Sequence, residues 1–312
     1  MKYRRVGKSG LKISEISLGA WLTFGRSVDD KNSEKIIHSA ISQGVNFIDI
    51  ADVYAKGKAE ETVGQCIRSI KRSDLVISSK VFWPLSDNIN DRGLSRKHIM
   101  ESIDKSLKRI GTDYLDIYFC HRSDPETEIE ETVRAMGDLV SSGKILYWGT
   151  SVWEPHQIEQ AVKAAKKYNT HPPIVEQPRY NMLDRHIEAE IMPIGKRHGM
   201  GFTVWSPLAE GVLTGKYNEG VPQATRGAGS EWMKNDLSPA NIAKVKKLSA
   251  LAQTLGITMS QLALAWILRR EEISCAIAGA TKEEQLKENL AASDIKLSSE
   301  AQAKIELILA GE

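Results

Sequence analysis

Four residues with complementary acid–base chemistry, Asp49, Tyr54, Lys80 and His121, each stand at or just beyond the C-terminal end of a strand-like run. Asp49 ends the run Val45-Asn46-Phe47-Ile48, and Tyr54 follows in Asp49-Ile50-Ala51-Asp52-Val53-Tyr54. Lys80 closes residues 75–79, and His121 closes residues 115–120. An isolated phenol, with a pKa of about 10, holds its proton too firmly at neutral pH to be an efficient acid. A nearby cation stabilises the phenolate and lowers that pKa. Lys80 can supply the cation, Asp49 can pair with Lys80 and orient it, and His121 can hydrogen-bond a carbonyl oxygen. Together they match the chemistry of carbonyl reduction, with the hydride brought by a nicotinamide because no side chain has one to give. Taken singly each has a plain explanation: a capping Asp, a surface Tyr, a solvated Lys, a satisfied His. Four of them on three consecutive strand ends favour the joint reading.

Such convergence requires parallel strands side by side. Strand-like runs fall at 16–18, 47–49, 75–79, 115–120, 145–149, 174–176, 201–205 and 274–278, after a short hairpin at 3–6 and 11–13 that turns through Ser9-Gly10. Between them, residues 33–42, 60–70, 98–110, 130–140, 158–168 and 240–255 place apolar side chains three and four apart, the helical period. Gly44, Gly111, Gly143 and Gly199 stand where helices should stop. Eight strands each followed by a helix predict an α/β fold of the (β/α)₈ TIM-barrel type, with an N-terminal β-hairpin, as a single domain over 1–312. The rival, a doubly wound open sheet, should carry Gly-x-Gly-x-x-Gly after a strand, and none is found. Two connections, 82–95 and the Gly-rich 206–235, are longer than a β/α loop needs, and a barrel would place both on its C-terminal face.

A formal charge of +2 with 26% charged residues gives no reason to expect nucleic acid or a membrane surface as partner. No apolar run approaches the length of a membrane span, and the first residues lack a signal-peptide core. Cys66, Cys120 and Cys275, an odd number far apart within apolar patterns, read as buried free thiols in a reducing compartment, so a cytoplasmic location is expected. The seven histidines show no metal-ligand spacing, and no metal is expected. Cys120 and His121, neighbours on a strand, point to opposite faces and cannot act as a nucleophile pair. In Ala278–Asn289, Thr281 suits a helix N-cap with Glu284 completing a capping box. A helix N-terminus after the last barrel strand is also a common phosphate site, to which Lys282 and Arg226 could add charge.

Several stretches carry a resemblance over essentially the whole chain: Leu18-Gly19-Ala20-Trp21-Leu22-Thr23-Phe24-Gly25, Ala51-Asp52-Val53-Tyr54, Lys80-Val81-Phe82-Trp83, Glu131-Thr132-Val133-Arg134-Ala135-Met136, Tyr147-Trp148-Gly149-Thr150-Ser151, Trp205-Ser206-Pro207-Leu208-Ala209 and Gly215-Lys216-Tyr217. They resemble the aldo-keto reductase superfamily, in particular its potassium-channel beta-subunit branch and microbial relatives. The resemblance implies a barrel that binds NADPH in extended form without a Rossmann domain, and it makes Asp49, Tyr54, Lys80 and His121 the catalytic tetrad. By the same resemblance Ser151 and Gln177 bond the nicotinamide amide and Trp205 stacks on its ring. Ser206, Leu208, Lys216, Arg226, Thr281, Gln285, Glu288 and Asn289 correspond to contacts with pyrophosphate, 2′-phosphate and adenine. Asp49, Trp21, Pro207, Ala209, Gly279 and Lys282 join the expected cofactor-binding set, and Trp21, Trp83 and His121 the substrate pocket. Channel beta subunits carry Asn at the position of His121 and Arg at that of Val152, and many relatives have Arg at that of Gln285. The implied function is NADPH-dependent reduction of aldehydes, or of dicarbonyls and ketones. The alternatives are an NADPH-binding regulatory protein with slow turnover and a Schiff-base lyase using Lys80. A small carbonyl compound is the expected partner, and a homo-oligomer is compatible with the sequence.

Arg226 is the residue on which a preference for NADPH over NADH should depend most. A guanidinium grips a 2′-phosphate with two hydrogen bonds, and such charge-assisted contacts contribute about 1.5–3 kcal/mol each, roughly ten- to a hundredfold in affinity. Fluorescence titration of Arg226→Ala should show NADPH weakened far more than NADH. Equal weakening of both would remove Arg226 from the 2′-phosphate site.

Overall fold

The computed structural model describes residues 1–222, 227 and 233–311. Ahead of the barrel, β1 (Tyr3–Arg5) pairs antiparallel with β2 (Lys12–Ser14), Tyr3 opposite Ser14. Eight strands follow: β3 (Ile16–Gly19), β4 (Phe47–Asp49), β5 (Val76–Val81), β6 (Leu115–Cys120), β7 (Ile145–Thr150), β8 (Val175–Glu176), β9 (Gly201–Val204) and β10 (Ile273–Ala278). They pair in parallel, and the order β10-β3-β4-β5-β6-β7-β8-β9 closes on itself. Closure leaves no barrel edge with unpaired backbone groups, and it rules out the open doubly wound sheet.

Helices α1 (Asp30–Ser42), α2 (Lys58–Cys66), α3 (Arg96–Ile110), α4 (Ile129–Ser141) and α5 (Pro155–Lys167) lie between the earlier barrel strands. They are followed by α6 (Ile191–His198), α7 (Pro239–Thr254), α8 (Met259–Leu268), α9 (Glu283–Ala291) and α10 (Ser299–Ala310). Side chains start several of them: Asp29, Ser95 and Ser238 each accept from a backbone N–H in the first turn, and Thr258 with Gln261 forms a capping box. The helix read over 60–70 ends at Cys66, and the chain turns before Ile70. The N-cap of α9 is Lys282, not Thr281, and its side chain makes no capping bond. Thr281 instead donates through both its N–H and its hydroxyl to Oε1 of Gln285, which replaces the anticipated box with Glu284.

Alternation along the strands sorts side chains into two cores. Phe47, Val76, Ile117, Phe119, Val175, Cys275 and Ile277 form a buried cluster inside the barrel, joined by Val6 and Ile13 from the hairpin. The hairpin seats at the N-terminal end of the strands, where Lys8 N–H donates to the Gly199 carbonyl just before β9 (2.8 Å). Intervening residues such as Ile48, Ile77, Tyr118 and Trp148 face the helices and belong to the larger outer core. With one end of the barrel plugged by apolar side chains, polar residues that point inward must gather at the other.

Packing between α2 and α3 depends on close approach at Gly64, where an added Cβ would meet the Ile110 carbonyl oxygen at 2.2 Å. Backbone cannot retreat as a side chain can, so Gly64→Ala should destabilise the fold by about 1–3 kcal/mol. Gly10→Ala, with nothing within 4 Å of its added Cβ, should be close to neutral. Denaturant midpoints of the two variants check this, and equal midpoints would refute it.

Candidate active site

Above the plug lies a layer of inward-facing polar residues: Asp49 at the end of β4, Ser78 and Lys80 two apart on β5, Gln177 just past β8, and Thr203 on β9. The Asp49–Ser78 register sets the first two opposite each other. Lys80 Nζ donates to Asp49 Oδ2 and to the Ile50 carbonyl, both at 2.7 Å. Asp49 Oδ1 accepts from Ser78 Oγ (2.7 Å) and Gln177 Nε2 (2.9 Å). Both charged side chains are buried, Lys80 completely. Burial works against the ammonium, but the Asp49 carboxylate and the Tyr54 phenol overcome it and hold the Lys80 pKa above its ordinary value. A lysine held charged has no lone pair for attack on a carbonyl, which argues against the Schiff-base lyase.

Tyr54 sits one short turn beyond β4, and Lys80 Nζ lies 4.8 Å from the centre of its ring. The turn is bent sharply: Ala55 and Lys56 have φ of 49° and 53°, and left-handed Gly57 leads into α2. Non-glycine residues in this region carry strain of order 1–3 kcal/mol each, and such strain clusters at functional sites. A cation alone would lower the phenol's pKa. In the structure burial outweighs the pull of Lys80, and the Tyr54 pKa lies above the ordinary phenol value. Lys80 limits the rise, and Tyr54 holds its proton at neutral pH.

His121 follows β6 directly, tied by its N–H to the Val81 carbonyl (3.0 Å). Its ring stands edge-on to Tyr54, centroids 5.9 Å apart, and to Trp83 at 6.4 Å. Burial, then the charges of Lys80 and Arg122, push its pKa well below the usual imidazole range, so it is neutral at pH 7. Its Nδ1 is buried with no hydrogen-bond partner among the described residues. The fold thus brings Asp49, Tyr54, Lys80 and His121 to one point.

Asp49, Tyr54 and His121 border a cavity of about 830 Å³, large enough for an extended ligand, and Lys80 lies fully buried behind them. Trp21 and Trp83 line it, and Trp21 meets Trp205 edge-on at 6.2 Å. Ser151, Gln177, Trp205, Ser206, Pro207, Leu208 and Lys216 also reach it, as do Gly279, Thr281, Lys282, Gln285, Glu288 and Asn289. Ser151 and Gln177 are coupled, Ser151 Oγ donating to the Gln177 carbonyl (2.8 Å). Glu288 already accepts from Thr258 Oγ (2.8 Å). Ala209 does not line the cavity: it is fully buried in the turn behind it. Arg226 lies outside the described residues. All three cysteines are free and buried, and burial raises the Cys66 thiol to about 11.

Two residues of consequence are absent from the candidates the sequence patterns suggest. Arg122 lines the cavity beside His121. Glu176 points outward from β8, fully buried, and accepts from Thr150 Oγ and from the backbone N–H groups of Val152 (2.6 Å) and Trp153 (3.3 Å). It clamps a turn in which Val152 has φ of 58°, immediately after Ser151. Burial raises its pKa to about 7. The available signal was a carboxylate inside the apolar run Ile174-Val175-Glu176.

Residues 15–310 match the family model described as the aldo/keto reductase family. The chain is 48% identical over 306 residues to a probable voltage-gated potassium channel subunit beta of Arabidopsis thaliana, covering 95% of this chain and 92% of the relative. It is 45% identical over 319 residues to the probable subunit of Oryza sativa subsp. japonica, covering 99% and 97%. It is 41% identical over 319 residues to the putative subunit of Schizosaccharomyces pombe, covering 98% and 93%.

The Glu176 clamp generates a pH prediction. Its folded pKa of about 7 exceeds the ordinary 4.5, so the folded state holds the proton more tightly than the unfolded one. Its contribution is therefore full below about pH 4.5 and lost as pH rises through about 7. Glu176→Gln cannot titrate. The stability of wild type relative to this variant should fall across that window, measured by urea midpoints, and a difference that stays flat with pH would refute it.

Proposed function

The chain belongs to the aldo/keto reductase family, and we propose that it is an NADPH-dependent oxidoreductase reducing aldehydes, with dicarbonyls and ketones as further candidates, to alcohols. The observation that carries this reading is the buried Asp49–Lys80 pair beneath Tyr54, with a neutral His121 beside it. A neutral imidazole can donate to a carbonyl oxygen and fix its direction. Tyr54 then delivers its proton to that oxygen, and the fixed charge of Lys80 stabilises the phenolate as it forms, the usual benefit of preorganised electrostatics. Asp49 keeps Lys80 charged and aimed.

The lining residues fit a nicotinamide dinucleotide. Ser151 and Gln177 offer polar groups for the carboxamide beside Tyr54, and Trp205 offers an aromatic face. Lys216, Lys282 and the N-terminal end of α9 offer positive charge for phosphates, from the segments after β9 and β10. When bound, that cofactor supplies the hydride. The preference for the phosphorylated form is assigned to Arg226, with Thr281 and Lys282. A small carbonyl compound is the partner we assign. No single helix among the described residues is long and apolar enough to cross a membrane, and we assign the protein to the cytoplasm.

The names of the relatives favour a second reading, a cofactor-binding regulatory protein with slow turnover. His121 argues for turnover, because it places a hydrogen-bond donor of fixed geometry next to Tyr54. NADPH oxidation against a panel of aldehydes separates the two. Tyr54→Phe should lower kcat by about 10²–10⁴-fold while NADPH still binds, because the hydroxyl serves the substrate. Unchanged turnover in the variant would overturn the role given to Tyr54, and a wild type that binds NADPH without oxidising it would favour the regulatory reading.

A further inference from the structure

The geometry points to a substrate that carries a carboxylate as well as its reducible carbonyl, with Arg122 as the group that holds the carboxylate. This rests on the reading of the cavity as a carbonyl-reducing site.

Arg122 follows His121 at the end of β6, and it lines the cavity together with Tyr54, Trp83 and His121. One of its terminal nitrogens donates to the His121 carbonyl oxygen, and the guanidinium carbon lies 5.7 Å from the centre of the Trp83 ring. The fork is therefore held from two sides while its other N–H groups make no hydrogen bond to the protein among the described residues. No carboxylate among those residues lies within ion-pair distance of it. Two buried carboxylates of this region, Asp49 and Glu176, are already engaged with other partners. Asp49 is bonded to Lys80, Ser78 and Gln177. Glu176 is bonded to Thr150 and to the N–H groups of Val152 and Trp153. Half-burial strips the guanidinium of part of its hydration, and Glu176 acts on it only from beyond ion-pair distance, so its spare donors are available to an anion in the cavity. The planar fork of arginine matches a carboxylate with two parallel hydrogen bonds.

Position assigns this charge to substrate and not to cofactor. The other unburied cations lining the cavity, Lys216 and Lys282, come from the segments after β9 and β10, whereas Arg122 neighbours the residues that would hold the carbonyl. The His121 ring is 5.9 Å from Tyr54 and 6.4 Å from Trp83, and the Arg122 guanidinium carbon is 5.7 Å from the centre of the same Trp83 ring. Trp83 thus adjoins both groups, which suits a carbonyl and a carboxylate carried on one ring-sized body. The indoles of Trp21 and Trp83 wall the space between with flat apolar surface. The carboxylate takes no part in the reaction. It positions the carbonyl, and the product is the corresponding hydroxy acid.

The test compares kcat/KM for a carboxybenzaldehyde and for its carbamoyl analogue, in which a neutral amide of similar shape replaces the carboxylate. Wild type should favour the acid by about tenfold or more, the effect of one charge-assisted fork, and salt should reduce the preference. In Arg122→Met the ratio should collapse towards one. Because both substrates are measured on one preparation, loss of folded protein cancels from the ratio. If Arg122→Met does not fold, Arg122→Lys, which keeps the charge and loses the fork, should reduce the ratio several-fold. A wild-type ratio near one, or a ratio that survives either substitution, overturns the proposal. Calorimetric binding of benzoate needs no turnover and separates this proposal from the reductase reading. If neither aldehyde is reduced but benzoate binds wild type and not Arg122→Met, the reductase reading fails and the anion site stands. Benzoate binding that ignores the substitution removes the anion site.

Discussion

Two opposite charges buried inside a barrel, Asp49 and Lys80, constrain most of what surrounds them. Moving each from water costs several kcal/mol even after the protein relaxes, and their mutual attraction offsets this only when every remaining lone pair and proton is also satisfied. The structure supplies four such bonds: Ser78 and Gln177 donate to one carboxylate oxygen, Lys80 to the other, and Lys80 also donates to the Ile50 carbonyl. Those partners come from β4, β5 and the end of β8, so the pair can form only in the correct register of a closed barrel. A slip of one residue would point Lys80 at the helices and Ser79 at the interior.

The same alternation extends the effect outward. Ser79, between Ser78 and Lys80, donates to Glu60 on α2 (2.6 Å), and Glu60 in turn binds Arg109 on α3 (2.5 Å). A six-residue strand thus reaches the buried Asp49–Lys80 pair with one face and the supporting helices with the other. Asp52 adds a further buried carboxyl in this region, without a hydrogen-bond partner for either oxygen among the described residues, and burial followed by the nearby Glu60 pushes its pKa far up. Burial thus favours its neutral form, and among the described residues the carboxylate bonded to Lys80 is Asp49.

The strand ends were readable because parallel barrel strands are continuous apolar runs, and a polar residue that ends one is conspicuous. All eight runs became strands within two residues of their expected limits. Helices defined by an amphipathic face were equally legible. In α8 every residue but Gln261 is buried, so it offers no polar face to mark its period. The acidity of Tyr54 was misjudged because local sequence reveals a neighbouring cation but not the desolvation that opposes it. Thr281 does not cap α9 because it donates to Gln285, which reaches back to it, a side-chain choice that spacing does not encode. Glu176 and Arg122 passed unnoticed for a related reason: each depends on partners that only folding brings near.

Closure of the ring also shapes how the molecule is assembled. β3 lies between β4 and β10, so the first barrel strand waits for the last. The seam is fastened by Arg4, which donates to the carbonyls of Leu268, Arg270 and Ile273, the last 269 positions away, and by Glu15, which accepts from Ser293 (2.7 Å). Contacts this remote in sequence form late, because the intervening chain must be ordered before they can be made. On an emerging polypeptide Asp49 and Lys80 are synthesised early, yet the barrel that isolates them from water is incomplete until β10 appears. Acid–base competence and global cooperativity are therefore acquired in one event, and loss of the seam from either side would open the whole ring rather than fray an end.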